Sequence, residues 1–504
     1  MRYEVGIDFG SVSSFVYLYR DNLPEVVCDA GGEIQIPSYV YFNNNNVIVG
    51  NSAMKRVAEN RLVVRNVKRL IGRLYCSFSH EEDNEVYGTE LLEDDNGYCC
   101  FSVQDKVYTV TDILVYILDY IRRRVNMQSG ANVTNVTISV PINASNLYRE
   151  IMKNAGIQAG WETIQFVNEP TAAVISQQDS IFLDNNILVF HFGDSYLCNT
   201  ILHKKDDKFE ILATYTDETI NDMEIEKALL GHVEDEYKEQ TKQNIWSDNP
   251  RKQQKQKATT LSDIQSTIRE LSHSTTSAID ITRNNNTMTL RISQDCLNKC
   301  LKTIIQQIQS DFDYLLNNSI SHLTVDDIQS ILLVGDSSII PVIRETVQTY
   351  FKKSEIINTF KNGELIAWGC GVCSLQHLEP DYSIQFYLHN SIGLVLQNQM
   401  IYPLFETGCK LPCKKIVSVT SMEKGVNTID VQVVEMNRLA QDSIRIVACV
   451  KSSPFTIQPN QQKEITITFK MQQDGTFTIE AITQPGYQKC INVQLQGFSH
   501  SFVC

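Results

Sequence analysis

Nowhere in these 504 residues do about 18 consecutive apolar residues occur, the length a membrane-crossing helix requires. The opening MRYEVGIDFG also lacks the cationic start and apolar stretch of a secretory leader. No membrane association is expected, and a cytoplasmic location is. Positive charge is scarce as well: 44 Lys and Arg stand against 59 Asp and Glu, a net charge of −15 at pH 7, and the basic residues form no stripe. Direct nucleic-acid binding lacks its electrostatic footprint. Fourteen Cys are too sparse for a disulfide scaffold and are expected to stay thiols. Cys370-x-x-Cys373 and Cys409-x-x-x-Cys413 each lack a clear second pair, and Cys296 and Cys300 fall on the apolar face of a helix, so no zinc is expected.

What is present is material for packed cores. Apolar residues make up 42% of the chain, and at roughly 150 residues per domain the length sets a prior of about three domains. Tyr3 to Asp8 and Phe15 to Tyr19 read as strands joined by the small, polar turn Gly10–Ser14. Val136 to Val140 is a strand halted by Pro141, followed by a helix through Tyr148 to Ala155. Ile187 to Phe190 is a strand leading into a second small-residue turn, Gly193-Asp194-Ser195. Residues 294 to 316 carry apolar residues at helical spacing and read as one helix. Ile331 to Val334 ends in Gly335-Asp336-Ser337-Ser338, with Pro341 at the first turn of the next helix. Alternating strands and helices signal an α/β domain.

Beyond about residue 385 the period changes to two. Thr428 to Val434, Ser443 to Val450, Glu464 to Lys470 and Thr476 to Ile482 read as strands of a separate all-β domain, the last two joined across Asp474-Gly475. Gln376 to Gln385, with Glu379-Pro380-Asp381, reads as a linker. Glu81 to Asn96 and Lys238 to Lys257 read as exposed loops or solvated helix faces, and Asn43 to Asn46 as a hairpin tip.

Asp8-Phe9-Gly10-Ser11 and His191-Phe192-Gly193-Asp194 set a glycine after an aromatic at the end of an apolar strand, the mark of a duplicated fold. Two such hairpins facing each other can offer backbone N–H groups to phosphates. From these residues alone, two ordinary turns are an equally good reading.

The resemblance then becomes specific. Gly6-Ile7-Asp8-Phe9-Gly10, Val67 to Arg73, Val140-Pro141, Asn168-Glu169-Pro170-Thr171-Ala172-Ala173, Ile187 to Phe190 and Leu333 to Pro341 occur in the order and spacing of the DnaK-type heat-shock protein 70 chaperones. Residues 391 to 495 resemble that family's β-sandwich, down to Gln473-Asp474-Gly475-Thr476-Phe477. The resemblance implies an α/β, actin-like, two-lobed nucleotide-binding domain over 1–378, a linker over 379–390 and a truncated all-β sandwich over 391–504, without a helical lid. It implies ATP or ADP with Mg²⁺ in the cleft. By position, Asp8 would face the metal's water shell, Lys68 would position the attacking water, and Glu169 would support the Mg²⁺ and phosphate side. Cofactor contacts would come from Gly10, Ser11, Val12, Gly193, Asp194, Arg269, Ser272, Gly335, Asp336 and Ser337.

The chain departs from that pattern where phosphate and base would lie. His191, Asp194, Tyr196 and Cys198 stand in the second hairpin in place of acidic residues, glycines and a threonine. Asn221-Asp222 replaces a Gly-Gly pair, and Asp336 replaces a glycine with Ile339 in place of an arginine. Gln265 and Ile268 replace a Glu and a Lys. Asp194 would set a carboxylate beside phosphate oxygens. Nucleotide binding is therefore expected to be weak or absent, and hydrolysis more so. In length and in its damaged second loop the chain resembles the ribosome-associated subgroup that pairs with a zuotin-type J-domain protein. That implies a cytosolic co-chaperone of nascent polypeptides, reaching the ribosome through its partner. Rival readings are a conventional ATP-driven chaperone, an actin-like sugar kinase, against which the Asn168–Ala173 run and the β domain speak, and a structural component of a larger assembly.

Overall fold

The same order of five strands occurs twice. In the first sheet the meander Tyr3–Asp8, Ser13–Arg20, Leu23–Val26 is extended on its other side by two parallel strands, Asn135–Val140 and Thr163–Asn168. In the second, Asn185–Phe192, Leu197–Lys205 and Lys208–Asp217 form the meander, and Ser330–Val334 and Glu355–Ile356 the parallel pair. The computed structural model describes residues 3–43, 46–57, 62–77, 83–181, 184–205, 208–283, 286–319, 322–357, 363–376, 386–388, 390–396, 399–421, 430–436, 444–451, 463–472 and 475–483. Within them the duplication expected from the two glycine hairpins is present strand for strand.

The central strands are buried on both faces, which is why they read as continuous apolar runs. Val5, Ile7, Val136 and Ile138 in one sheet and Leu188, Phe190, Ile331 and Leu333 in the other are closed to solvent. Helix Val110–Ser129 covers the first sheet, its Thr109 and Asp112 forming a reciprocal cap at the N-terminus. Helix Leu365–Gln376 packs on strand Tyr3–Asp8 and helix Glu169–Ile175 of the first lobe, while its Leu365 and Ile366 share an apolar cluster with Leu332 and Val334 of the second.

Past that helix, two antiparallel sheets form the β domain. Ile401–Phe405, Ser391–Val395, Asp430–Met436 and Ile444–Lys451 make one; Cys413–Ser421, Lys463–Met471 and Phe477–Thr483 make the other. Ile392, Leu394, Val433, Ile467 and Phe469 are buried in an apolar cluster continuous with Ile187, Val189 and Leu332 of the second lobe. Polar contacts also join it to the first lobe: Asn146 Oδ1 accepts from the Phe477 N–H at 2.7 Å, and the Asn146 N–H donates to Glu435 at 3.2 Å.

Several expectations need correction. The helix expected over 294–316 is two, Gln294–Cys300 and Lys302–Asn317, meeting at Leu301. Within Glu81 to Asn96, Glu90–Glu93 is a strand with Leu91 buried; pairing with Cys99–Val103 outweighs its polar neighbours. In Lys238 to Lys257 the polar run holds two helix ends around a buried Ile245. Of the expected linker, Phe386–Tyr387 pairs with Lys410–Leu411 and so belongs to the β domain; most of the rest lies outside the described residues.

Candidate functional site

The hairpin after strand Tyr3–Asp8 and the hairpin after strand Asn185–Phe192 meet across a cleft that is open to solvent at its mouth. This is where strands of a parallel sheet end, the usual place for a ligand in such folds. Gly10 sits in a bend so tight that a Cβ would lie 2.0 Å from the Ser13 carbonyl. Behind it, the Ser38 hydroxyl donates to the Gly10 carbonyl at 2.9 Å. Gly335, with φ of +87°, fits a third loop against the second hairpin, where a side chain would strike the Phe192 carbonyl.

Three side chains meet at the floor. Lys68, on the 3-10 turn Val67–Leu70, donates to Glu169 Oε1 at 2.7 Å, with side chains 9% and 1% exposed. Asp8 accepts from the Ser139 hydroxyl at 2.8 Å. Burial, only partly offset by Lys68, pushes the Asp8 carboxyl up to about 6. For Glu169 burial acts in the same direction, but Lys68 and then His191 pull its carboxyl below the usual value. Burial opposes charge on Lys68 too, and Glu169 more than compensates, holding the ammonium above its ordinary range.

The second hairpin fills the space above them. The Tyr196 hydroxyl donates to Glu169 Oε2, and His191 Nδ1 stands 3.4 Å from the same oxygen. Burial lowers the His191 value, so the ring is neutral near pH 7. Asp194 Oδ2 accepts from the Val12 backbone N–H at 3.0 Å, and the Ser11 and Ser195 hydroxyls are 2.5 Å apart. The second loop's carboxylate thus takes the amide that the first loop presents. Cys198 is buried between Thr200 and Thr216 below the hairpin.

The mouth is acidic. Burial, reinforced by Asp194, raises Asp222 well above the carboxylate range, and Ser337 hydrogen-bonds to it. The same two causes raise Asp336, which Gln35 contacts. Glu226 is pushed by burial to about 7. Gln265 donates to Glu226 at 2.9 Å and Ile268 is buried, so both hold helices Asp222–Thr241 and Pro250–Leu271 together.

Asp8, Gly10, Ser11, Gly193, Asp194, Gly335 and Asp336 line the cleft, with Lys68; Val12, Glu169 and Ser337 adjoin it through their hydrogen bonds. Arg269 and Ser272 do not line it. Arg269 is exposed, its charge acting on Asp336 and Glu226 beside the mouth, and the Ser272 hydroxyl donates to the Ile268 carbonyl of its own helix. Phe15, which opens the strand after the first turn, also lines the cleft, as do Gln35 and Gly363, which carried no sequence signal because each comes from a segment remote from the motifs.

Comparison with known proteins agrees with this architecture. The model of the "Hsp70 protein" family matches residues 4–500. A heat shock cognate HSP70 protein of Trypanosoma brucei brucei is 25% identical over 510 residues, covering 96% of this chain and 74% of its own length. The chaperone protein dnaK1 of Synechococcus elongatus is 25% identical over 487 residues, covering 95% and 74%. A heat shock 70 kDa protein of Trichophyton rubrum is 24% identical over 498 residues, covering 95% and 74%. With the twice-repeated sheet, the facing hairpins and a match over nearly its whole length, the chain belongs to the Hsp70 family.

Proposed function

We propose that this protein is an Hsp70-type chaperone in which the cleft is held by its own side chains, so that it serves as a scaffold for a partner and does not run an ATP cycle. The observation that carries this is the Asp194–Val12 hydrogen bond. A carboxylate already accepts the amide that a phosphate would take, and the Ser11–Ser195 contact clasps the two loops.

Members of the family bind ATP or ADP with Mg²⁺, and the residues present do not fit that ligand. A phosphate entering beside Asp194 sets like charges at about 4 Å, a repulsion of about 4 kcal/mol at an effective dielectric near 20. Asp222 and Asp336, both raised toward the protonated form, supply no positive charge to offset it. On the base side Gln265 and Ile268 are engaged in packing. The Lys68–Glu169 pair favours the second reading, a conventional ATP-driven chaperone, because it keeps family identities at family positions; here that pair is satisfied internally, with Tyr196 and His191 around it.

The partner in this reading is a zuotin-type J-domain protein, with nascent polypeptides as clients and the ribosome reached through the partner in the cytosol. Exposed Leu396, Met400, Tyr402 and Ile416 on the β domain offer apolar surface for it. The role calls on no helical lid. Two measurements test it. Full-length protein is expected to show no J-protein-stimulated ATPase above background and to co-purify with one J-domain protein and ribosomal proteins. Mg²⁺-dependent turnover abolished by Lys68→Ala, or a stable monomer free of both partners, would overturn it.

A further inference from the structure

Beyond its cleft-lining first residue Asp222, helix Asp222–Thr241 packs beside helix Gln294–Cys300 in the second lobe. Cys296 and Cys300 lie one turn apart on the second helix and so share a face. His232 projects from the first helix, and its ring nitrogen and the two sulfurs all lie within 4.8 Å of one another, half-buried. One turn beyond His232, Glu236 places Oε2 3.3 Å from Nε2, and Gln240 donates to the other oxygen at 3.1 Å.

The chemistry of this set is selective. Two sulfurs and an imidazole are the donors of tetrahedral zinc, and a carboxylate against a ring nitrogen is the kind of partner that orients a ligating histidine. With bonds of about 2.0–2.3 Å, tetrahedral zinc separates its donors by roughly 3.3–3.8 Å. A side-chain rotation of about 1 Å closes the observed set to that size. Among the described residues no other group of three such donors comes together. Cys370 and Cys373, the more motif-like pair, are buried in helix Leu365–Gln376 and, among the described residues, form no such group of three.

We propose that His232, Cys296 and Cys300 form a Zn²⁺ site, with Glu236 holding the imidazole and water in the fourth position. This reverses the expectation of a zinc-free chain drawn from linear spacing. The set was hidden because His232 and the cysteines are brought together only by the packing of two helices distant in sequence. Without metal both sulfurs are thiols, Cys296 pushed up to about 12 by burial and then by Cys300. Binding one Zn²⁺ releases one proton from each thiol to solvent, leaving two thiolates, and involves no oxidation.

The test is a Co²⁺ titration of the full-length protein under reducing conditions, followed by Zn²⁺ displacement. One Co²⁺ per chain with thiolate-to-cobalt charge-transfer absorption is expected, bleached by stoichiometric Zn²⁺. The double substitution Cys296→Ser and Cys300→Ser should abolish that absorption. His232→Ala should keep it but weaken binding about tenfold or more. These positions are partly exposed, and circular dichroism of each variant checks folding. No charge-transfer absorption in the parent protein, or an unchanged spectrum in the folded double variant, overturns the proposal.

Discussion

The Asp194 carboxylate reaches across the cleft to the Val12 amide at 3.0 Å, joining two hairpins whose sheets are copies of one another. In a fold built to present two sets of loop amides to one anion, the second loop supplies the anion. The serines beside it close the same gap, and the floor beneath is neutralised by Lys68, Glu169 and Tyr196.

If the Lys68–Glu169 pair now serves folding, breaking it costs stability. Lys68→Ala leaves a buried carboxylate without its cation, and a loss of about 3–5 kcal/mol is expected, read from denaturant unfolding. An unchanged midpoint would show that the lysine is held for chemistry.

Buried acids set a pH dependence. Asp8 near 6 and Glu226 near 7 are raised in the fold, as is Asp311 near 7, by burial in each case. The folded chain therefore holds more protons than the unfolded one, and stability falls as pH rises from about 4 through 7. His191, lowered by burial, acts oppositely and takes stability away below about 6.5. These acids, with Asp222 and Asp336 raised as well, outweigh one histidine and predict a higher melting temperature at pH 6 than at pH 8. Glu226→Gln should flatten the difference and stabilise the protein at pH 8 by on the order of 1–2 kcal/mol, allowing for solvent screening at this part-exposed site.

Docking of the β domain on the first lobe rests on Asn146, which accepts from the Phe477 amide while its own amide donates to Glu435. Asn146→Ala leaves a buried N–H unsatisfied, a cost of about 1–3 kcal/mol. Limited proteolysis that separates the β domain from the two lobes should accelerate several-fold in the variant, and ATP should not change the rate in the parent protein.

Much of this was legible in the sequence. The apolar strands ending in glycine gave the duplicated sheets, because two-sided burial leaves a plain run of Val, Ile, Leu and Phe. Asp8, Lys68 and Glu169 converge as their motifs imply. The engagement of Asp194 with Val12 was not legible: a carboxylate in that loop could equally point to solvent, and only the approach of two strands remote in sequence decides it. Gln265 likewise reads as a lost base contact until helix packing shows it bound to Glu226. Arg269 and Ser272 carry family identities, yet one is exposed and the other bonds its own helix. A position in a motif fixes a residue's neighbours along the chain, and the neighbours across the fold decide what it does.

The most direct test is a calorimetric titration of the full-length protein with Mg-ATP, run beside Asp194→Gly and the double substitution Asp194→Gly, Ser195→Gly. Without the carboxylate the Val12 amide is released to an anion, so affinity is expected to rise about tenfold or more over a weak parent, as relief of a like-charge contact predicts. Tight, saturable binding by the parent protein, unchanged by removing Asp194, would contradict the account.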